Sequence, residues 1–196
     1  MVQSVTSLFR ERPGTEPSGK SPIRGPSRCT AAELAKFAER RRQPVPESFA
    51  YAYFRLGERY GIRGDIAFCQ ALYETRALAA GRVRPIGEAR MTDLWGLQGR
   101  DELFSDAFVE MHLQLLYGFA VAGPLPEAAG LSAPRLQWIE RKGWRGKAPH
   151  WEDLNGKWSY PGTNYGQDIA AIWRNLLEWS EQERSRAERH RQAGRA

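Results

Sequence analysis

The sequence predicts an α+β protein with a mostly helical body and a small β lobe. Apolar residues recur at helical spacing in segments spread along the chain, whereas residues 81–99 show no helical period. We interpret residues 81–99 as loops with a short, irregular β-hairpin. The length of 196 residues fits one domain with flanking segments and is ample for a buried core.

Composition divides the chain into three parts. Residues 1–25 form a predicted flexible segment, because the stretch over 13–26 is rich in Pro, Gly and Ser. Residues 26–180 form the predicted folded domain. Residues 181–196 form a basic tail, in which arginines outnumber acids, and we interpret it as a solvated helical extension that frays.

Helix boundaries are predicted from caps and from apolar spacing. Thr30 and Glu33 form a capping box that starts a helix over 31–41. A second helix is predicted over 46–60, closed by Gly61. Further helices are predicted over 63–79, over 105–122 and onward from Gly166, with short helices and turns over 138–158.

The helix over 63–79 holds the first candidate site residues. Asp65 can cap its start. Apolar side chains surround nearly the whole axis, which is typical of a buried helix. The polar exceptions, Gln70 and Glu74, are four residues apart and therefore share one stripe.

Glu74 is a candidate general acid. A carboxylate in apolar surroundings is costly unless it is paired or protonated, and burial raises its pKa, which suits a group that must hold a proton. In a plainer interpretation Glu74 pairs with Arg63 or Arg76, or points to solvent, and helical spacing alone favours that interpretation.

The net charge of +6 favours polyanionic partners: nucleic acid, an anionic membrane or an acidic cell wall. No nucleic-acid motif is present, so we predict no nucleic-acid partner.

No apolar run reaches the length of a membrane span, and residues 1–12 lack the apolar region of a standard signal peptide.

Two cysteines and three histidines limit the chemistry. Cys29 and Cys69 cannot form a disulfide framework, and Cys69 lies in an apolar helical run that predicts a buried free thiol; a single bridge between them stays open. The histidines are far apart and lack Cys or Glu partners at zinc spacing. We therefore predict no metal and no cofactor, which disfavours a zinc amidase.

The string GIRGDIAFCQALYET over 61–75 resembles the catalytic helix of the glucosaminidase family, also called the mannosyl-glycoprotein endo-β-N-acetylglucosaminidase-like domain. Stretches over 25–37, 109–120 and 148–169 resemble further family segments in the same order. The last of these, APHWEDLNGKWSYPGTNYGQDI, is long and unusual. The resemblance extends over about residues 25–177.

This resemblance implies a lysozyme-like fold, with a cleft between a helical body and a small β lobe. It implies hydrolysis of the N-acetylglucosaminyl β-1,4-N-acetylmuramyl bond of peptidoglycan, with Glu74 as the general acid. The family tyrosine that lines the cleft corresponds to Tyr165; a core tyrosine beside the last helix is the equal alternative.

Glycosidases need a second carboxylate or help from the acetamido group of the substrate. Asp93 is the first candidate, because it lies in DLWGL, which resembles a β-lobe element of the family. The alternative for Asp93 is an ordinary loop acid, and the same holds for the other candidates, Glu88, Asp101 and Glu102.

The candidate substrate-binding residues are Gln70, Trp95 and Trp158, with Trp151 and Tyr160 as further stacking candidates. Packing is the alternative role of Trp151 and Trp158.

The chain departs from the family near the cleft. Arg76 and Ala77 follow the helix motif where the family usually has Gly-Trp, and DLWGL lacks the family asparagine. These departures motivate a second hypothesis, a catalytically impaired module that binds cell wall or has a structural role. A third, a basic nucleic-acid-binding protein, depends on charge alone.

The expected site of action is the cell wall, outside the cell. Without a visible signal peptide we expect synthesis in the cytoplasm and a non-standard route outward, including delivery by a phage or a secretion particle. The basic tail over 184–195 could hold anionic wall polymers.

Overall fold

The computed structural model describes residues 19–79, 104–126, 135–159 and 162–194. These residues form six α-helices and a short 3-10 helix at Trp151–Leu154: α1 (Ala31–Arg40), α2 (Glu47–Tyr60), α3 (Gly64–Ala79), α4 (Asp106–Ala120), α5 (Arg135–Arg141) and α6 (Tyr165–Ala193). Within those ranges there are isolated β-bridges but no strand. The protein is therefore mostly helical, as predicted, while residues 81–99 of the predicted β lobe lie outside the described residues.

The ends of α1 and α2 follow the local signals in the sequence. The Thr30 hydroxyl accepts the Glu33 N–H at 3.3 Å, and the Glu33 carboxylate accepts the Thr30 N–H at 2.8 Å, so the capping box is confirmed. Gly61 follows α2 in the left-handed conformation, with φ of 63°, which glycine adopts without strain.

Helix α3 begins at Gly64, so Asp65 lies in its first turn and does not precede the helix as a cap. The carboxylate of Asp65 is instead used by the tertiary fold. It accepts the backbone N–H of Arg28 at 3.0 Å and the indole N–H of Trp173 at 2.8 Å. Asp65 thus joins three distant parts of the chain.

The core surrounds α3, which packs against α1, α2 and α6. Its side chains from Ile66 to Cys69 are fully buried, in agreement with the prediction of a helix that is apolar all round. Gly64 allows α2 and α3 to approach closely, because a Cβ atom at this position would lie 2.2 Å from the carbonyl oxygen of Tyr53.

The core also includes a residue from the segment over 1–25, which the sequence predicts to be flexible. Ile23 is fully buried, donates its N–H to the carbonyl of Pro149 and accepts the N–H of Arg63, both at 2.9 Å. This segment therefore joins the chain before the 3-10 helix to the start of α3.

Helix α6 is continuous from Tyr165 to Ala193, across the predicted boundary at residue 181. Its first half is buried through Ile169, Trp173 and Leu176, whereas its side chains are mainly exposed beyond residue 181. Arg184 pairs there with Glu33 of α1 at 2.6 Å. None of the helices in the described ranges is long and apolar enough to cross a membrane.

Both cysteines are buried free thiols. Cys69 lies on α3 with no exposed surface, as predicted, and Cys29 contacts the Ser180 hydroxyl at 3.6 Å. Burial raises the pKa of Cys29 to about 12, so this thiol stays protonated and unreactive at neutral pH.

Candidate active site

Glu74 lies on α3 with only 5% of its surface exposed. The hydroxyl of Tyr165, at the start of α6, donates a hydrogen bond to its Oε1 atom. One turn earlier on α3, the side-chain amide of Gln70 donates to the Tyr165 hydroxyl oxygen at 2.7 Å. Three residues that the sequence proposed for the site are therefore in direct contact.

Burial raises the pKa of Glu74, while Tyr165, Trp158 and the positive charge of Arg135 act in the opposite direction. Burial is the largest of these effects, so the net shift is upward. A carboxyl group of this kind can hold a proton closer to neutral pH than an exposed glutamate does.

The plainer interpretations of Glu74 are largely excluded. Arg63 does not pair with it, because the guanidinium lies 4.0 Å from Asp65 and stacks over the Trp173 ring at 4.3 Å. Exposure of 5% rules out a side chain that points into solvent. The side chain of Arg76 lies outside the described part of the chain.

Tyr165 is held by the junction between the 3-10 helix and α6. The N–H of Gly166 donates to Asn155 Oδ1 at 2.8 Å. A Cβ atom on Gly166 would lie 2.1 Å from the Trp151 carbonyl oxygen, so glycine is needed for this close approach. Tyr165 is also buried, with Tyr73 edge-on at 5.7 Å, and so combines a core position with a polar contact to Glu74.

Sequence reasoning missed two polar residues that extend this network. His112, fully buried on α4, lies with Nε2 at 2.9 Å from Gln70 Oε1 and with Nδ1 at 2.7 Å from the Tyr53 hydroxyl. The sequence feature that could have indicated His112 is that it is the only histidine in the strongly apolar segment over 106–120. An isolated histidine in a core requires hydrogen-bond partners, and their absence nearby in sequence indicates partners from other elements.

Trp158 is half-buried between His112 at 5.4 Å and Phe119 at 5.7 Å, measured between ring centroids. Its indole N–H approaches Glu74 closely enough to favour the ionised carboxylate, although it does not complete a hydrogen bond. Trp151, by contrast, is fully buried, which supports packing as its role.

A small, partly open pocket adjoins Trp158; Glu74 does not line it, and Trp158 and Arg135 lie between the two. Three aromatic residues, two cationic side chains and two aliphatic residues line it: Leu115, Phe119, Arg135, Trp138, Ile139, Lys157 and Trp158. Trp138 is supported edge-on by Trp144 at 5.0 Å. The site thus combines a buried carboxyl group with a neighbouring aromatic and positively charged surface.

The predicted partners of Glu74 in the β lobe, Asp93 and Trp95, lie outside the described residues, as do Tyr160 and the other candidate loop acids, Glu88, Asp101 and Glu102. Within the described ranges, no three His, Cys, Asp or Glu side chains form a group suited to a metal ion.

Compared with models of protein families, with curated proteins and with solved structures, the chain shows no match. The resemblance to glucosaminidases therefore stays a prediction from the sequence.

Proposed function

We propose that the protein is a peptidoglycan glycoside hydrolase of the endo-β-N-acetylglucosaminidase type, with Glu74 as its general acid. The observation that carries the proposal is the buried carboxyl group of Glu74, which contacts the Tyr165 hydroxyl and lies near an open aromatic pocket. The proposal also includes a lysozyme-like arrangement, in which residues 81–99 supply the second lobe.

In this mechanism Glu74 protonates the glycosidic oxygen while the bond from that oxygen to the anomeric carbon breaks. The acid becomes a carboxylate in this step. The Tyr165 hydroxyl already donates to Oε1, and a hydrogen bond to a charged acceptor is stronger than one to a neutral acceptor. Tyr165 therefore stabilises the product form of the acid.

The second catalytic group is Asp93 or the acetamido group of the substrate itself. Either one would stabilise positive charge at the anomeric carbon until water adds there and gives a proton back to Glu74. Asp93→Asn distinguishes the two groups. Hydrolysis persists in this variant if the acetamido group is the second catalytic group, and the rate of hydrolysis falls if Asp93 is.

The pocket suits an acidic glycan. Aromatic rings such as Trp158 and Trp138 can stack on sugar faces, while Arg135 and Lys157 place positive charge where a peptidoglycan carboxylate would be attracted. The arginines beyond residue 184 add a second, weaker attraction for anionic wall polymers. The proposed site of action is therefore the cell wall.

The test is digestion of purified peptidoglycan, followed by borohydride reduction and identification of the new reducing end. We expect reduced N-acetylglucosamine from the native protein and none from Glu74→Gln. Glu110→Gln is the matched control, because Glu110 also accepts a tyrosine hydroxyl, from Tyr60 at 2.7 Å, but lies in a separate contact. Reduced muramic acid, or activity that survives in Glu74→Gln, would overturn the proposal.

The alternative is a catalytically impaired module that binds cell wall through the same pocket. The positive charge of Arg135, which opposes the upward shift in the Glu74 pKa, favours this alternative because an ionised carboxylate is a poor acid. It predicts co-sedimentation with insoluble peptidoglycan, lost in Trp158→Ala, without release of soluble fragments at any pH.

A further inference from the structure

We propose that His112 is a positioning residue for Glu74, and that its tautomer, held by Tyr53, sets the direction of a hydrogen-bond chain that ends at Glu74. The chain runs from Tyr53 through His112, Gln70 and Tyr165 to the carboxyl group. The inference rests on the proposed role of Glu74 as the acid, and it assigns a function to a histidine that contacts no substrate.

The direction of the chain follows from its own geometry. Tyr165 has one hydroxyl hydrogen and donates it to Glu74, so its oxygen must accept from the amide nitrogen of Gln70. The carbonyl oxygen of Gln70 then faces His112 at 2.9 Å, which requires the hydrogen on Nε2 of the imidazole. Nδ1 carries none and accepts from the Tyr53 hydroxyl at 2.7 Å.

The surroundings of His112 favour a neutral imidazole in one tautomer. It is fully buried, and burial lowers its pKa to about 3. Tyr53 from α2, Gln70 from α3 and the indole of Trp158 face it, and none of these three groups carries a charge. The imidazole therefore donates on one edge and accepts on the other over the whole working pH range.

The opposite tautomer would reverse the chain. Nε2 would then accept from a flipped Gln70 amide, whose oxygen would take the hydrogen of Tyr165 away from Glu74. Nδ1 would donate to Tyr53 and leave the Tyr53 hydroxyl hydrogen without an acceptor in the core. A buried unsatisfied donor is destabilising, and His112 is the one hydrogen-bond partner of the Tyr53 hydroxyl within the described part of the chain.

The direction matters because it decides which oxygen of Glu74 carries the proton. With Tyr165 donating to Oε1, the acidic proton is left to Oε2, where it can be given to a leaving group. In the reversed chain Glu74 would donate its own proton to Tyr165. The donor on Oε1 also favours the carboxylate, so its loss raises the pKa of Glu74 further.

The other groups around Glu74 are the same in both directions of the hydrogen-bond chain. They are Tyr165 from α6, Trp158 from the segment before α6, Arg135 from α5 and Tyr73 from its own helix. Within the described residues the Tyr53 hydroxyl hydrogen-bonds to His112, so a change at Tyr53 reaches Glu74 through the chain.

The experiment compares His112→Phe, which removes both ring nitrogens, His112→Gln, which keeps a donor and an acceptor, and Tyr53→Phe, which removes only the terminal hydroxyl. For each, kcat and KM on purified peptidoglycan are measured against pH, and the Glu74 carboxyl is titrated by ¹³C NMR in the full chain. We expect His112→Phe to lower kcat roughly tenfold or more with KM little changed, because a transition-state contribution is lost. The Glu74 pKa should rise in the same variant, and His112→Gln should restore most of both properties.

Several results would overturn the inference. One is equal loss of kcat in His112→Phe and His112→Gln, and another is an unchanged Glu74 titration in a folded His112→Phe or Tyr53→Phe protein. If His112→Phe does not fold, Tyr53→Phe and its titration decide. The titration does not require catalytic turnover, so it tests this inference separately from the proposed function. If the native protein is inactive but its Glu74 pKa changes in Tyr53→Phe, only the hydrolase proposal is contradicted.

Discussion

Helix α3 carries two buried acids, and they have opposite surroundings. Asp65 has no exposed surface and accepts the backbone N–H groups of Arg28 and Ile66, each at 3.0 Å, together with the Trp173 indole N–H at 2.8 Å. The guanidinium of Arg63 lies 4.0 Å away. These groups use both oxygens of the carboxylate, so Asp65 ties α3 to the segment before α1 and to α6.

Glu74, about two and a half turns further along the same helix, has one hydroxyl donor in Tyr165 and an indole in Trp158 that approaches without completing a hydrogen bond. Burial raises its pKa. The contrast gives a physical criterion: an acid whose oxygens are filled by N–H donors and a cation has a structural role. A buried acid with few donors and a nearby pocket can exchange a proton.

The largest effect is expected at Glu74. Glu74→Gln keeps the shape and can still accept from Tyr165, but it cannot donate a proton to a leaving oxygen. We expect kcat on peptidoglycan to fall by about 10²- to 10⁴-fold, the usual contribution of a general acid. Release of reducing ends measures the rate, and circular dichroism checks that the fold is intact. Near-native turnover in a folded variant would contradict the role of the acid.

Asp65 should show the reverse pattern, with a large loss of stability. Asp65→Ala leaves Arg63 without its partner and three N–H groups without an acceptor, and removal of one member of a buried pair costs about 3–5 kcal/mol in unfolding free energy. Urea unfolding measures the change. The control is Asp106→Ala, an exposed acid paired with Arg55 at 2.6 Å, for which we expect a loss of roughly 1 kcal/mol or less. Equal losses at the two sites would remove the structural half of the comparison.

A smaller effect sharpens the comparison through pH. The pKa of Glu74 is raised above its ordinary value of 4.5 in the folded protein, so the folded state binds more protons than the unfolded state between those two values. The contribution of Glu74 to stability is therefore present below pH 4.5 and is lost as pH rises through the folded pKa. Glu74→Gln lacks this loss, so its melting temperature relative to the native protein should be higher at pH 7 than at pH 4. A difference that is independent of pH would contradict the raised pKa.

The smallest effect is expected at a third, surface acid. Glu33 of α1 pairs with Arg184, whose side chain is 48% exposed. Arg184→Ala should lower the unfolding free energy by about 1 kcal/mol or less, and added salt should diminish the difference because exposed pairs are screened. Thermal melts at low and high salt measure it. A loss comparable to that of Asp65→Ala would show that exposure does not separate the acids of this protein.

The site was predictable in part. Burial and the shared stripe of Gln70 and Glu74 follow from spacing on one helix, and both residues are buried in the structure. Tyr165 came from the family resemblance, and it contacts both. His112 and Tyr53 were missed because a single polar residue in an apolar run shows that partners exist but does not identify them.

What the sequence determined by itself is local: the capping box at Thr30, the end of α2 at Gly61 and the apolar surround of α3. Each depends on residues within a turn or two, where covalent connection leaves few alternatives. The partners of the two acids were decided by the tertiary structure. Tyr165 reaches Glu74 across 91 positions, and Arg63, a sequence candidate for Glu74, goes to Asp65 instead. Such contacts form when packing of the apolar faces orients the helices, because the core then leaves each buried polar group only the partners that the neighbouring helices present.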